Sequence, residues 1–218
     1  MRPTKPDGTG MPEAQRSIVV FDLGGVLIDW DPRHLYRKLF SGDDAAMEHF
    51  LATVCTHEWH RHHDAGRPMA ETTRLLIEQH PDKAELIDAF RLRAGEMIGG
   101  AIGGTVEILG ELHRAEVPLY ALSNWPAETF PLARERFDFL DRFAGILISG
   151  DVAVIKPDPH IFALLAERFA IDPQHAVFID DVEANTAAAD RLGFHAIRFT
   201  GAAALRQELA ALGLLDRR

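Results

Sequence analysis

The chain has 218 residues, of which 47% are hydrophobic and 26% are charged, and its formal net charge is −10. This length and composition suit one α/β domain with an insertion, and the acidic balance argues against partners such as nucleic acid or an anionic membrane. The single cysteine, Cys55, excludes a disulfide within the chain and favours a reducing, cytoplasmic location. No run approaches the roughly 18 apolar residues that a membrane helix requires.

The first third of the chain contains a strand followed by a helical insertion. Residues 1–16 are rich in proline, glycine and charge, which predicts a disordered N-terminal lead-in rather than a secretory signal. The apolar run Ser17–Phe21 predicts a buried strand. Residues 32–98 hold no convincing strand and several helical patterns, so we expect a helical cap over residues 32–99. The glycine-rich run 99–104 predicts a linker back to the core, because a phosphate-binding glycine loop would follow a strand.

Strand and helix patterns alternate after this linker. The helical patterns include 106–113 and 182–192, and Asp158 before Pro159 predicts a helix start between them. Further strands are predicted at Pro118–Leu122, Gly145–Ile148, Ala176–Ile179 and Ala196–Phe199. Such alternation predicts an α/β fold with a doubly wound, mainly parallel sheet, built from residues 17–31 and 100–218.

Polar residues follow four of the predicted strands, where α/β folds place their active sites. They are Asp22, Ser123 with Asn124, Lys156, and Asp180 with Asp181. Three crowded carboxylates repel one another, and a hard divalent cation such as Mg²⁺ relieves this repulsion. A lysine, a hydroxyl and an amide can then bind the other oxygens of a phosphate, which leaves Asp22 as a nucleophile.

Four motifs in this order resemble those of the haloacid dehalogenase superfamily of hydrolases, in particular its sugar-phosphate phosphatases with a helical cap after the first strand. The motifs are Phe21–Val26, Leu122–Asn124, Lys156–Pro159 and Ile179–Asn185. The resemblance implies a Rossmann-like core, Mg²⁺ and hydrolysis of a small phosphate ester through an aspartyl-phosphate. It also implies site roles: Asp22 as nucleophile, Ser123 and Lys156 as phosphate ligands, and Asp22, Asp180, Asp181 and the Gly24 carbonyl as metal ligands.

Gly24 departs from the family pattern, because related phosphatases carry an aspartate there that protonates the leaving group. Three explanations stay open: the substrate has a good leaving group, a cap residue supplies the acid, or turnover is slow or absent. The last corresponds to a catalytically silent protein that binds a phospholigand or a partner. A further alternative is a metal-independent 2-haloacid dehalogenase, although the pair Asp180-Asp181 argues for a metal.

The cap contains a polar cluster that can contribute to the site. It comprises His57, Glu58, His60, His62, His63 and Asp64. One of these groups is a candidate for the missing acid; a zinc site is the less favoured interpretation, because no further ligand is suitably spaced. His60 and the two tryptophans Trp30 and Trp125 are candidates for lining the substrate pocket. We expect a monomer or a homodimer.

Overall fold

The computed structural model describes residues 17–216, so the predicted lead-in, 1–16, lies outside the described residues. The strands found there are β1 (Ile18–Phe21), β2 (Ile28–Trp30), β3 (Ile98–Ala101), β4 (Leu119–Ser123), β5 (Gly145–Ile148), β6 (Ala176–Asp180) and β7 (His195–Arg198). The helices before β3 are α1 (Arg33–Leu39), α2 (Asp44–Thr53), α3 (His57–Asp64), α4 (Met69–Gln79) and α5 (Ala84–Leu92). Those after it are α6 (Gly103–Arg114), α7 (Phe130–Arg136), α8 (Ser149–Val152), α9 (Pro159–Phe169), α10 (Glu183–Arg191) and α11 (Ala202–Ala211).

The core is a five-stranded parallel sheet with the strand order β5-β4-β1-β6-β7. Its central strand, β1, alternates its side chains between two hydrophobic clusters: Val19 and Phe21 join one, and Val20 joins the other. Burial on both faces explains why these strands are short, nearly continuous apolar runs. The predicted α/β fold with a doubly wound parallel sheet is confirmed.

Helices α1 to α5 form a separate hydrophobic cluster. Tyr36 is fully buried at its centre, with its ring centroid 5.1 Å from that of Phe50 and 6.4 Å from that of Phe90. The Tyr36 hydroxyl donates a hydrogen bond to the carbonyl of Leu86 at 2.9 Å, so the one polar atom of this ring is satisfied. This cluster packs α1 to α5 together, and these five helices are called the cap below.

The glycine-rich run differs from the prediction of a linker over 99–104. Residues Ile98–Ala101 form β3, which pairs antiparallel with β2, and α6 begins at Gly103. Glycine has a low propensity for strands, but the close approach of two side chains requires it at position 99. A Cβ at Gly99 would lie 2.3 Å from the Asp29 carboxylate and 2.6 Å from the His34 ring. Long-range pairing therefore determines this strand, and local sequence preference does not.

None of the helices over residues 17–216 is both long and apolar enough to cross a membrane.

Candidate active site

Three of the four predicted polar positions meet because their strands are neighbours. Asp22 directly follows β1, Ser123 is the last residue of β4, and Asp180 is the last residue of β6. β1 lies between β4 and β6, so the three side chains lie at the same edge of the sheet.

Asp22 is held by donors that converge on one of its two oxygens. Oδ1 accepts hydrogen bonds from the Leu23 amide at 2.7 Å and the Ser123 hydroxyl at 2.7 Å, and it lies 3.0 Å from Lys156 Nζ. Among the described residues, Oδ2 has no hydrogen-bond partner. Burial raises the pKa of Asp22 from 3.8 to about 7, against the opposing charge of Lys156. This arrangement fixes the carboxyl group and leaves one oxygen available for chemistry.

Lys156 is almost fully buried beneath the carboxylates. Its Nζ donates to Asp180 Oδ2 at 2.6 Å and to the Leu122 carbonyl at 2.8 Å, in addition to its contact with Asp22. Burial alone would lower the pKa of Lys156, but the charges of Asp22 and Asp180 outweigh it and the net shift is upward. Lys156 therefore binds the two carboxylates together, and its contact with a phosphate oxygen stays a prediction.

Asn124 positions Lys156 through two reciprocal hydrogen bonds. Its Nδ2 donates to the Lys156 carbonyl at 3.1 Å, and the Lys156 amide donates to its Oδ1 at 2.8 Å. Both polar groups of this side chain are thus engaged with the backbone. The structure gives Asn124 a positioning role, and its predicted contact with phosphate stays a prediction.

The acidic pair after β6 divides into a structural and an accessible member. Asp180 is fully buried and accepts hydrogen bonds from the Val182 amide at 2.8 Å and from Asn185 Nδ2 at 3.0 Å to each oxygen. Asp181 is more exposed and faces the cavity described below. Burial, together with the charge of Asp180, raises the pKa of Asp181.

The three carboxylates fit a divalent cation. One oxygen each from Asp22, Asp180 and Asp181 lies within 4.8 Å of the others, and hard oxygen donors of this kind suit Mg²⁺. Gly25 keeps Asp181 close, since its φ is +74° and a Cβ there would lie 2.6 Å from Asp181 Oδ2. No comparable group of histidine and carboxylate ligands occurs in the cap within residues 17–216, so the geometry gives no support to zinc there.

A cavity of about 500 Å³ separates these carboxylates from the helical cap. Its cap side is one face of α3, formed by His57, His60, Arg61 and Asp64, which follow the i, i+3, i+4, i+7 spacing of a helix. The four-residue spacing of His60 and Asp64 predicts one helix face for them, and α3 places both on the face that lines the cavity. The Thr56 hydroxyl, which accepts from the Trp59 amide at 3.1 Å, is the N-cap signal that marks its start.

The opposite face of α3 attaches it to the rest of the cap. Trp59 Nε1 donates to the Thr72 carbonyl at 3.3 Å, and His63 Nε2 lies 2.6 Å from Thr72 Oγ1. The Trp59 ring packs edge-on against Phe90 with centroids 5.0 Å apart. These contacts fix the rotation of α3 and therefore decide which residues face the cavity.

The three predicted lining residues all lie in the cavity wall. Trp30 stacks on His60 with ring centroids 4.8 Å apart and an angle of 19° between the planes. Trp125 also packs against Phe130, so its packing role and its place in the wall coexist. Burial and the neighbouring His63 lower the pKa of His60 to about 3, which keeps its ring neutral at physiological pH.

Magnesium is expected to stabilise the protein through this cluster. At a concentration about 100 times its Kd, a ligand that binds only the folded state adds about 2.7 kcal/mol, which corresponds to roughly 5–10 °C in Tm for a chain of this size. Differential scanning fluorimetry with and without Mg²⁺ measures this shift. Asp181→Ala should remove most of it, whereas the exposed control Asp82→Asn should retain it. An equal shift in all three proteins would contradict the assigned ligand set.

Comparisons with known proteins agree with this geometry. A family model described as haloacid dehalogenase-like hydrolase matches residues 17–193. Acyl-CoA dehydrogenase family member 10 of Mus musculus is 26% identical over 214 residues, which cover 89% of this chain but only 19% of that protein. A sesquiterpene phosphatase of Aspergillus oryzae is 26% identical over 195 residues, covering 88% of this chain and 94% of that one. A magnesium complex of a family enzyme from Bacteroides thetaiotaomicron aligns with a TM-score of 0.65 and 25% identity, covering 86% of this chain and 94% of that one.

Proposed function

The chain belongs to the haloacid dehalogenase-like hydrolases, and on this premise we propose that it is a Mg²⁺-dependent phosphatase of small phosphorylated metabolites. The observation that carries the proposal is the convergence of three carboxylates and a buried lysine at a cavity of about 500 Å³. The related sesquiterpene phosphatase and the magnesium-bound family enzyme support both the reaction class and the metal.

The first chemical step is nucleophilic attack by Asp22 on the phosphorus atom of the substrate. A bond forms between Asp22 Oδ2 and phosphorus, the bond from phosphorus to the ester oxygen breaks, and the leaving oxygen takes up a proton. The donors of Leu23, Ser123 and Lys156 hold Oδ1, so the attacking oxygen is kept in place. The product of this step is an aspartyl-phosphate and a free alcohol.

The second step is hydrolysis of the aspartyl-phosphate. A water molecule attacks phosphorus, loses a proton to a base, and releases inorganic phosphate with Asp22 restored as a carboxylate. Asp22, Asp180, Asp181 and the Gly24 carbonyl would hold Mg²⁺, which supplies positive charge against the phosphoryl oxygens when bound. Lys156 keeps Asp22 and Asp180 together through both steps.

The cavity supports a substrate of modest size with an anionic end. Its volume of about 500 Å³ lies within the usual range for small-molecule sites. Its wall contains the aromatic residues Trp30, His60 and Trp125, and Arg61 adds a positive charge. A sugar phosphate is therefore the first candidate, and the related sesquiterpene phosphatase makes terpenoid monophosphates the second. The expected monomeric or homodimeric state and the cytoplasmic location stay predictions.

A phosphate-release assay with and without Mg²⁺ tests the proposal. The panel should contain p-nitrophenyl phosphate, hexose 1- and 6-phosphates and a terpenoid monophosphate. We expect phosphate release that disappears with EDTA and returns with Mg²⁺. Halide release from 2-chloropropionate without metal would instead favour the dehalogenase alternative, and no turnover of either kind would favour a silent binding protein.

A further inference from the structure

The glycine at position 24 leaves the proposed reaction without its usual proton donor. Gly24 lines the cavity, and no atom lies within 4 Å of where a Cβ would be placed on it, so this part of the cavity is open. An alkoxide is a poor leaving group, and general acids contribute about 10²- to 10⁴-fold to such steps. Another group that faces the cavity must therefore donate the proton if alkyl phosphates are substrates.

Asp64, the last residue of α3, is placed to do this. It lines the cavity opposite Asp22, yet it is only 5% exposed. Its Oδ1 is buried and has no hydrogen-bond partner among the described residues, and His60 Nε2, at 3.6 Å, is too distant to be one. A buried polar atom without a partner is costly and rare. Protonation of the carboxyl group removes the charge that would otherwise be left without a partner there.

The other cap candidates are less suitable. Glu58 and His62 do not line the cavity, and His63 faces Thr72. His60 is neutral because its pKa is lowered to about 3, so it has no proton to spare as an acid. His57, at the N-terminal end of α3, lies in the wall but is exposed to solvent.

We propose that Asp64 protonates the leaving-group oxygen in the first step and accepts the proton of the attacking water in the second. In the first step the Asp64 O–H bond breaks as the new alcohol O–H bond forms. In the second, the ionised Asp64 takes the proton that water loses as its oxygen bonds to phosphorus, and the acid is regenerated. This inference rests on the proposed phosphatase function and assigns the role of the missing aspartate to the cap.

The electrostatic surroundings of Asp64 suit both halves of this role. Burial, aided by the negative charge of Asp22, raises the pKa of Asp64 to about 7, while Lys156 and Arg61 oppose the rise. The neighbouring His60 is neutral and does not form an ion pair with it. A carboxyl group with a pKa near the operating pH can both give and accept a proton.

Substrates with different leaving groups separate the two steps. With a hexose phosphate, Asp64→Asn should lower kcat/KM by about 10²- to 10⁴-fold, because the alkoxide needs the proton. With p-nitrophenyl phosphate, the leaving group is a phenolate that needs little protonation. One equivalent of p-nitrophenolate per active site should therefore still be released in a rapid burst. Steady-state turnover should then be slow, because the aspartyl-phosphate lacks its base. Stopped-flow absorbance measures both phases.

A second variant places the family's usual acid back in the site. The open space at Gly24 admits a side chain. Turnover by the double variant Gly24→Asp/Asp64→Asn should therefore exceed that of Asp64→Asn by at least about tenfold. Asp82→Asn, an exposed change in the same cap, is the matched control and should behave as wild type.

A thermal scan shows that the tested variant is folded. Because the pKa of Asp64 rises from 3.8 to about 7 on folding, the native state loses stability as the pH increases through this range. Asp64→Asn lacks this loss, so its Tm relative to wild type should be higher at pH 8 than at pH 5.

Each kinetic outcome decides a different claim. Two outcomes would overturn the role of Asp64 and leave the proposed function standing. One is wild-type turnover by Asp64→Asn on both substrates. The other is an equal loss of the burst and the steady-state rate that Gly24→Asp does not restore. Absence of Mg²⁺-dependent phosphatase activity in the wild type would overturn the proposed function and this inference together.

Discussion

Asp22→Asn is expected to reduce phosphatase turnover by on the order of 10⁴- to 10⁶-fold, as removal of a covalent nucleophile does in other hydrolases. An amide nitrogen or oxygen at this position cannot form the acyl-phosphate, although it can keep the contacts with the Leu23 amide and the Ser123 hydroxyl. Asparagine is isosteric with aspartate and lacks the charge that burial disfavours, so the fold should be retained. Phosphate release at saturating Mg²⁺ measures the effect.

Two comparisons make this result specific to the nucleophile. Ser123→Ala removes one donor to the same oxygen and should cost far less, about 10- to 100-fold, because attack is still possible. A thermal scan of Asp22→Asn should show a Tm at or above that of the wild type above pH 7, where Asp22 is ionised. Substantial turnover by a folded Asp22→Asn protein would exclude Asp22 as the nucleophile.

Lys156→Met is expected to have the largest effect on stability. Removing one partner of a buried ion pair costs about 3–5 kcal/mol, because the other charge is left uncompensated. Here Asp22 and Asp180 would both lose the ammonium group that lies 3.0 Å and 2.6 Å from them. For a chain of this size the loss corresponds to roughly 6–20 °C in Tm, measured by differential scanning calorimetry.

A double variant distinguishes the loss of charge compensation from the loss of packing. Adding Asp180→Asn to Lys156→Met removes one unpaired carboxylate and should restore part of the lost Tm. Mg²⁺ should also stabilise Lys156→Met more than wild type, because it supplies positive charge to the same carboxylates. Lys83→Met, on the cap surface, should change the free energy of unfolding by no more than about 0.5 kcal/mol. An unchanged Tm for Lys156→Met would show that the buried pair does not contribute as described.

The core and its polar edge follow from local sequence patterns. Continuous apolar runs predict β1, β4, β5, β6 and β7 to within a residue or so, because strands buried on both faces have little other pattern available to them. Once those strands are parallel, Asp22 and Asp180 must meet at one edge. The acidic cluster could therefore be predicted without knowledge of side-chain contacts.

The cap side of the site depends on tertiary contacts, so local sequence patterns do not predict which of its residues face the cavity. Helix α3 is dominated by polar residues, and its orientation is set by Trp59 and His63 packing on the Thr72 region. The sequence placed Asp64 in a group of six polar candidates, and only this packing turns it toward the cavity. The strand pair β2 and β3 is similar, because glycines in β3 give a linker signal that long-range pairing overrides.

Mass spectrometry of the enzyme, quenched in acid during turnover of p-nitrophenyl phosphate, detects the proposed aspartyl-phosphate itself. We expect one phosphoryl group on the peptide that contains Asp22, and more of it in Asp64→Asn than in the wild type. It should be absent from Asp22→Asn and from enzyme without Mg²⁺. If wild type and Asp64→Asn both turn over substrate and neither carries a phosphoryl group on Asp22, Asp22 is not the nucleophile.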